Sequence, residues 1–208
     1  MGSRPVTILD HAKKQVVEAE LLDGLVPEDL MLIEEDWRPK RIELLRQLLR
    51  ANIANERRPQ SLNWNWRSKS HHLQFQGTTG YAIVYDERWQ GAMLCKSDSH
   101  LSRLSQRQEE PLIYVEFLEV APWNWAVSVV EQSPEYGRIG RQLFAAAVRQ
   151  SFDAGYNGRV GLHALPQSCS FYGDVCGMIS LGQDDDADEL EYFELHPHQA
   201  RFITNRSS

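Results

Sequence analysis

Two glutamates stand inside an apolar run. Residues 112–121 read Leu-Ile-Tyr-Val-Glu-Phe-Leu-Glu-Val-Ala, and Glu116 and Glu119 are the only charges in it. An unpaired carboxylate is expensive to bury. Carboxylates in such a run therefore point to a site, as a base for a nucleophile or as a ligand for a cationic amine. Strand alternation puts the two on opposite faces, so at most one faces a given cleft unless a bulge intervenes. The structural alternative is a pairing of one of them with an arginine of residues 138–149.

A second cluster follows at Tyr136-Gly-Arg-Ile-Gly-Arg, where Gly137 and Gly140 flank Arg138 and Ile139, and Arg141 comes next. Backbone N–H groups at a helix start bind phosphate. Glycine lets an anion come close, and arginines add charge-assisted hydrogen bonds. Two Trp-Asn-Trp triplets, Trp64/Trp66 and Trp123/Trp125, supply aromatic faces that suit a cationic substrate, or pack long loops on a core. In an extended segment Trp64 and Trp66 share one face. His163 is either a cleft residue or a satisfied sheet histidine. His71-His72 lacks partners at metal-ligand spacing, and no metal is expected. Cys169 and Cys176 read as packing residues, with a cysteine acyl-enzyme as the alternative.

The elements that must hold these residues are read from periodicity. Residues 28–54 carry a helical apolar stripe with acids first and arginines last, broken or kinked at Pro39. Residues 1–27 are strand or helix, with a turn signal at Asp23-Gly24. Residues 55–79 are irregular and 98–110 a loop. From residue 80 the pattern is strand, hairpin loop at 86–90, strand, then the long strand at 112–121. A helix with apolar Ile139, Leu143, Phe144, Ala147, Val148 and Phe152 comes next. A short strand at 159–164, a helix at 168–176, two strands joined by the acidic run 183–189, and a tail with about one helical turn complete the chain.

Composition bounds the class. The 208 residues, 42% hydrophobic and 25% charged, fit a single globular domain. A net charge of −7 disfavours nucleic acid and anionic lipid as partners. It also disfavours action on charged tRNA. Three cysteines without paired spacing fit a reducing cytoplasm. No apolar run reaches the ~18 residues that span a membrane.

The region around the glutamates and glycines resembles the GNAT superfamily, the acyl-CoA-dependent N-acetyltransferases. Leu118-Glu-Val-Ala-Pro is similar to that family's Leu-x-Val-x-Pro strand end. Tyr136-Gly-Arg-Ile-Gly-Arg-Gln-Leu is similar to its pyrophosphate loop and helix. Phe171-Tyr172 with Gly177-Met178 is similar to its late Phe-Tyr…Gly-Phe segment. Glu135 and Arg138 depart from the loop pattern, and residues 123–132 lengthen the connection.

The resemblance implies an α/β (α+β) fold. Its mixed, mostly antiparallel sheet is flanked by helices and splays between the family's fourth and fifth strands. Residues 80–196 are the acyl-CoA-binding core and 28–54 the first helices. It implies acetyl-CoA as co-substrate, held by Leu118, Glu119, Val120, residues 136–141 and Phe171, with no metal. The acceptor is a primary amine that attacks directly. Glu116 or Glu119 serves as base, the Val120 amide holds the oxyanion and Tyr172 is the acid. Trp64, Trp66, Trp123, Trp125 and His163 are candidates for contact with the amine. A homodimer is open, and a non-catalytic acyl-CoA or protein-binding module is the rival.

Overall fold

The computed structural model describes residues 2–104 and 109–206. Part of the polar stretch at 98–110 and the end of the tail lie outside the described residues. Among the described residues nine strands form one sheet in the order β6-β1-β2-β3-β4-β5-β7-β9-β8. Every pairing is antiparallel except β5 with β7.

The N-terminal residues form a hairpin, β1 (Gly2–Asp10) and β2 (Gln15–Asp23), turning at 11–14, and the turn signal at Asp23-Gly24 marks the end of β2, where Gly24 takes a positive φ. Helix α1 (Pro27–Arg50) is continuous through Pro39, so of the kink or break expected from sequence the break does not occur. Pro39 is exposed. The acceptor left unpaired by its missing N–H therefore falls on the solvent side, where water serves it. Continuity also sets the phase. Beyond Trp37 the buried positions are Arg41, Leu44 and Leu48, while Ile42 and Leu49 are exposed.

Residues 55–74 are short 3₁₀ turns around α2 (Trp66–Lys69). Strands β3 (Thr78–Tyr85) and β4 (Arg88–Lys96) join through Asp86 and Glu87, both left-handed, in a two-residue hairpin turn. Next come β5 (Ile113–Val120), β6 (Tyr136–Gly137), α3 (Ile139–Asp153), β7 (Val160–Ala164), β8 (Ile179–Asp184), β9 (Leu190–Glu194) and α4 (Pro197–Arg206). The late helix of the sequence reading is a π-helical turn at Phe171–Val175, and the tail helix is longer than one turn. Helix α1 covers one sheet face through Leu30, Ile33 and Trp37, which cluster with Leu94 of β4. On the other face α3 packs through Ile139, Leu143, Phe144 and Val148.

Two irregularities interrupt β5. Cys95 pairs with Val115 but Leu94 pairs with Phe117, so Glu116 is an extra, bulged residue. Beyond Ile113–Val160 and Tyr114–Gly161, β5 and β7 no longer pair, and the sheet splays open.

Candidate active site

Past the splay lies a cavity of about 680 Å³, within the range of small-molecule sites. One bank is the 57–64 segment, with Arg57, Gln60, Ser61 and Trp64. The other is residues 165–172, with Gln167, Phe171 and Tyr172. Leu118, Glu119 and Val120 of β5 form the floor, and Gly140 at the start of α3 and Trp125–Val129 close the sides.

The bulge at Glu116 changes the reading of the two glutamates. Because it shifts the alternation by one residue, both point to the α1 face. Glu116 reaches Lys96 at 2.7 Å and His72 at 3.1 Å, and Glu119 reaches Arg41 of α1 at 2.7 Å. The opposite-face expectation is thus corrected. Neither pairs with an arginine of α3. Glu116 is largely buried, forms an ion pair with Lys96 and lies beside His72, whose protonation burial disfavours; it is not part of the cavity lining among the described residues.

Glu119 is the buried carboxylate of the cavity. Its Oε2 accepts hydrogen bonds from Arg41 and, at 2.6 Å, from the Trp66 indole. Its Oε1 is buried and meets no donor in bonding geometry. Ser61, which helps lower the carboxyl's pKa, also lines the cavity. Burial nevertheless prevails and pushes Glu119 up to about 7, against the pull of Arg41 and Trp66. Arg41 itself is shared. It also donates to Glu34 at 3.1 Å and to the Trp64 carbonyl, and Glu34 accepts the Trp66 backbone N–H at 2.8 Å. One buried arginine thereby ties α1, the acceptor-side loop and β5 together.

The backbone of β5 is equally specific. Ala121 N–H donates to the Gln90 carbonyl at 2.9 Å. Antiparallel alternation then turns the N–H and C=O of Leu118 and Val120 away from β4, into the gap. The Val120 carbonyl does not stay free, because the Trp125 indole donates to it at 2.9 Å. The extra residues 123–132 therefore leave the Val120 N–H, not its carbonyl, for a ligand.

Of the predicted phosphate loop, Gly140 lines the cavity. A Cβ there would stand 3.3 Å from Phe171 Cζ, so glycine is what keeps this approach open. Tyr136 and Gly137 form β6 and pair with Asp10 and Leu9 of β1. Arg138 takes a left-handed conformation as the N-cap of α3. The first-turn amides of α3, from Ile139 to Arg141, have no acceptor within the helix. Glu135, awkward beside an anion, turns away to Arg88 at 3.4 Å.

Tyr172 lines the cavity, buried between Phe144, Phe171 and Phe193. Burial pushes its phenol well above the ordinary value, which keeps it protonated.

The tryptophans divide. Asn65 caps α2 by accepting from Ser68 N–H, so the chain turns and the two indoles part, contrary to the shared face expected. Trp64 lines the cavity, while Trp66 is fully buried against Trp37. In the second triplet the chain makes a 3₁₀ turn at Pro122–Asn124, and the Asn124 side chain binds Gln90 and the Tyr136 amide. Trp125 lines the cavity and Trp123 is buried on Gln90. Trp66 and Trp123 are thus not cavity walls. Nor is His163, which joins the Tyr114 hydroxyl at 2.8 Å to Asp184 at 2.9 Å away from the cavity.

Burial raises the Cys169 thiol, which disfavours a thiolate nucleophile. Among the described residues no group of His, Cys, Asp or Glu could hold a metal ion, and no helix is long and apolar enough to cross a membrane.

Sequence reasoning missed Arg41, Ser61 and the Gln60–Gln167 pair. The signal for Arg41 was present: uninterrupted helical phase from Ile33 and Trp37 reaches position 41, not 42.

No family model and no curated protein matches the sequence. Solved structures do resemble it in fold. An uncharacterized protein from Bacillus halodurans superposes with a TM-score of 0.56 at 12% identity, covering 97% of this chain and 94% of its own. A GNAT-family acetyltransferase from Listeria monocytogenes gives 0.51 at 11% identity, over 85% and 94%. FeeM, an N-acyl amino acid synthase from uncultured soil microbes, gives 0.50 at 13% identity, over 89% and 95%. The chain has the GNAT fold.

Proposed function

We propose, from the premise of that fold, that the protein is an acyltransferase that moves an acetyl group from acetyl-CoA to a primary amine by direct attack. One observation carries the reading. The parted strands β5 and β7 open onto a cavity whose lining joins a spare carboxylate, a protonated tyrosine and a glycine-bearing helix start.

In this reading the first-turn amides of α3, with Arg138 and Arg141 beside them, hold the diphosphate, and the absent side chain at Gly140 gives it room. The backbone of Leu118 and Val120 lines the pantetheine, and the Val120 N–H donates to the developing oxyanion. Glu119 takes a proton from the amine. With a pKa at about 7 it is a far better base than an ordinary carboxylate, and it is half ionised at neutral pH. Arg41 and Trp66 fix its Oε2, so the other oxygen is left for the proton. Tyr172 donates to the leaving thiolate. Trp64 and Trp125 wall the acceptor side. Glu116, held by Lys96 and His72, is not assigned a catalytic role.

The test is thiol release from acetyl-CoA over a panel of primary amines, with calorimetric titration of CoA alongside. Amine-dependent release supports the reading. CoA binding with no release over the whole panel favours the non-catalytic module instead. Absence of CoA binding removes both.

A further inference from the structure

Among the described residues the cavity lining holds two charged side chains of opposite sign. Glu119 lies on the floor and Arg57 on the 57–64 bank. Arg57 stands beside Arg58, and the two do different work. Arg58 spends its guanidinium on structure, donating to the Ile53 carbonyl at 2.7 and 3.0 Å and to Asn55 at 3.4 Å. The Arg57 side chain lines the cavity, open to water, and has no hydrogen-bond or ion-pair partner among the described residues.

Its place is nevertheless set. Gln60 and Gln167 clasp the two banks. The Gln60 N–H donates to Gln167 Oε1 at 3.1 Å, and the Gln167 N–H to Gln60 Oε1 at 2.9 Å. Gln167 Nε2 also donates to the Arg58 carbonyl at 2.8 Å. Arg41 holds the other end of the bank at the Trp64 carbonyl. The backbone is therefore clamped one residue from Arg57.

We propose that Arg57 is the specificity-determining residue for the acceptor, and that it binds the carboxylate of an amino-acid substrate whose amine is acylated beside Glu119. The inference rests on the acyl-transfer reading above and names its acceptor class. The amine nitrogen attacks the thioester carbonyl carbon, so the C–N bond forms and the C–S bond breaks. The amine's proton passes to Glu119 and the thiolate takes one from Tyr172. The carboxylate on Arg57 is unchanged.

Three features favour this class. A guanidinium offers paired donors that match the two oxygens of a carboxylate. The chain's net charge of −7 repels anions, so an anionic acceptor needs a local cation, and Arg57 is the one in the lining among the described residues. The diphosphate is assigned to the start of α3, whereas Arg57 shares its bank with Trp64 on the acceptor side.

The experiment measures thiol release from acetyl-CoA with matched pairs of acceptors. Glycine, β-alanine, 4-aminobutyrate, 6-aminohexanoate and phenylalanine are each compared with the corresponding amide. The expected result is at least one acid preferred over its amide by tenfold or more in kcat/KM, chiefly through KM. That ratio should fall below threefold in Arg57→Ala, recover in part in Arg57→Lys and reverse in Arg57→Glu, while calorimetric CoA affinity holds. Acids no better than their amides, or a preference kept in Arg57→Ala, overturn the inference and leave the acyl-transfer reading intact. Weakened CoA binding in Arg57→Ala also overturns it, because the guanidinium then serves a phosphate of CoA. Absence of CoA binding, or of release with every amine, overturns both.

Discussion

The replacement Glu119→Gln separates catalysis from stability more sharply than any other. Three charged side chains meet in the buried cluster: Arg41, Glu34 and Glu119. With one cation and two carboxylates, the cluster holds one surplus negative charge. Glu119 carries that surplus, and burial raises it from 4.5 to about 7. A rise of that size makes ionisation cost ~3 kcal/mol at alkaline pH.

The sign is set by linkage. The folded state holds the proton more tightly than the unfolded one, so Glu119's contribution to stability falls as pH rises from about 4.5 through about 7. Glutamine keeps an oxygen for Arg41 and Trp66 and removes the surplus charge. At pH 8 the variant should therefore be as stable as the original or more stable, by up to ~3 kcal/mol. For a chain of this size each kcal/mol corresponds to ~2–4 °C in Tm. Thiol release should meanwhile drop by ~10²–10⁴-fold. Thermal unfolding from pH 4 to 8, with and without the substitution, reads the difference between the two curves. A variant less stable at pH 8 with an unaltered pH slope would refute the charge assignment. Unaltered turnover would refute the base.

The same geometry sets four further outcomes. In the unsubstituted protein kcat/KM should rise with pH through about 7 as Glu119 loses its proton, and a flat pH–rate profile would count against it. Arg41→Met strands two buried carboxylates and should cost ~3–5 kcal/mol by urea unfolding; an unshifted midpoint would show that the cluster is not what joins α1 to β5. Tyr172→Phe should slow turnover and leave CoA affinity nearly unchanged by calorimetry, and equal turnover would end its role as acid. Gly140→Ala places a methyl 3.3 Å from Phe171 in the proposed diphosphate cradle. It should weaken CoA binding tenfold or more while Tm holds, and undiminished affinity would move the diphosphate elsewhere.

How much of the fold and site was legible in the sequence depends on the residue. The stretch from Leu112 to Met178 could be read because its signals are local: an apolar strand, a glycine-marked turn, an amphipathic helix. The splay of β5 from β7 was expected from the family resemblance and not from those signals, and the two strands do part beyond Tyr114 and Gly161. What escaped depended on pairing and phase. A bulge at Glu116 is a property of two strands, visible when Leu94 skips to Phe117, and strand alternation within β5 alone put Glu116 and Glu119 on the wrong sides. Pro39 predicts a break by its own chemistry, yet the buried stripe on both sides of it outweighs one missing hydrogen bond on an exposed face. Arg41 was hidden by that expected break. The Trp-Asn-Trp triplets misled because both lie in turns, at the Asn65 cap of α2 and at the 3₁₀ turn Pro122–Asn124, and a turn sends neighbouring indoles apart.

The central claim is that the anionic end of a CoA thioester sits at the start of α3 with its arm along β5. Backbone amide chemical shifts during titration of the ¹⁵N-labelled chain with CoA test this directly. The largest saturable changes should fall on Ile139, Gly140 and Arg141 and on Leu118 and Val120. Saturable binding that leaves those five amides still, and moves another set, would contradict it.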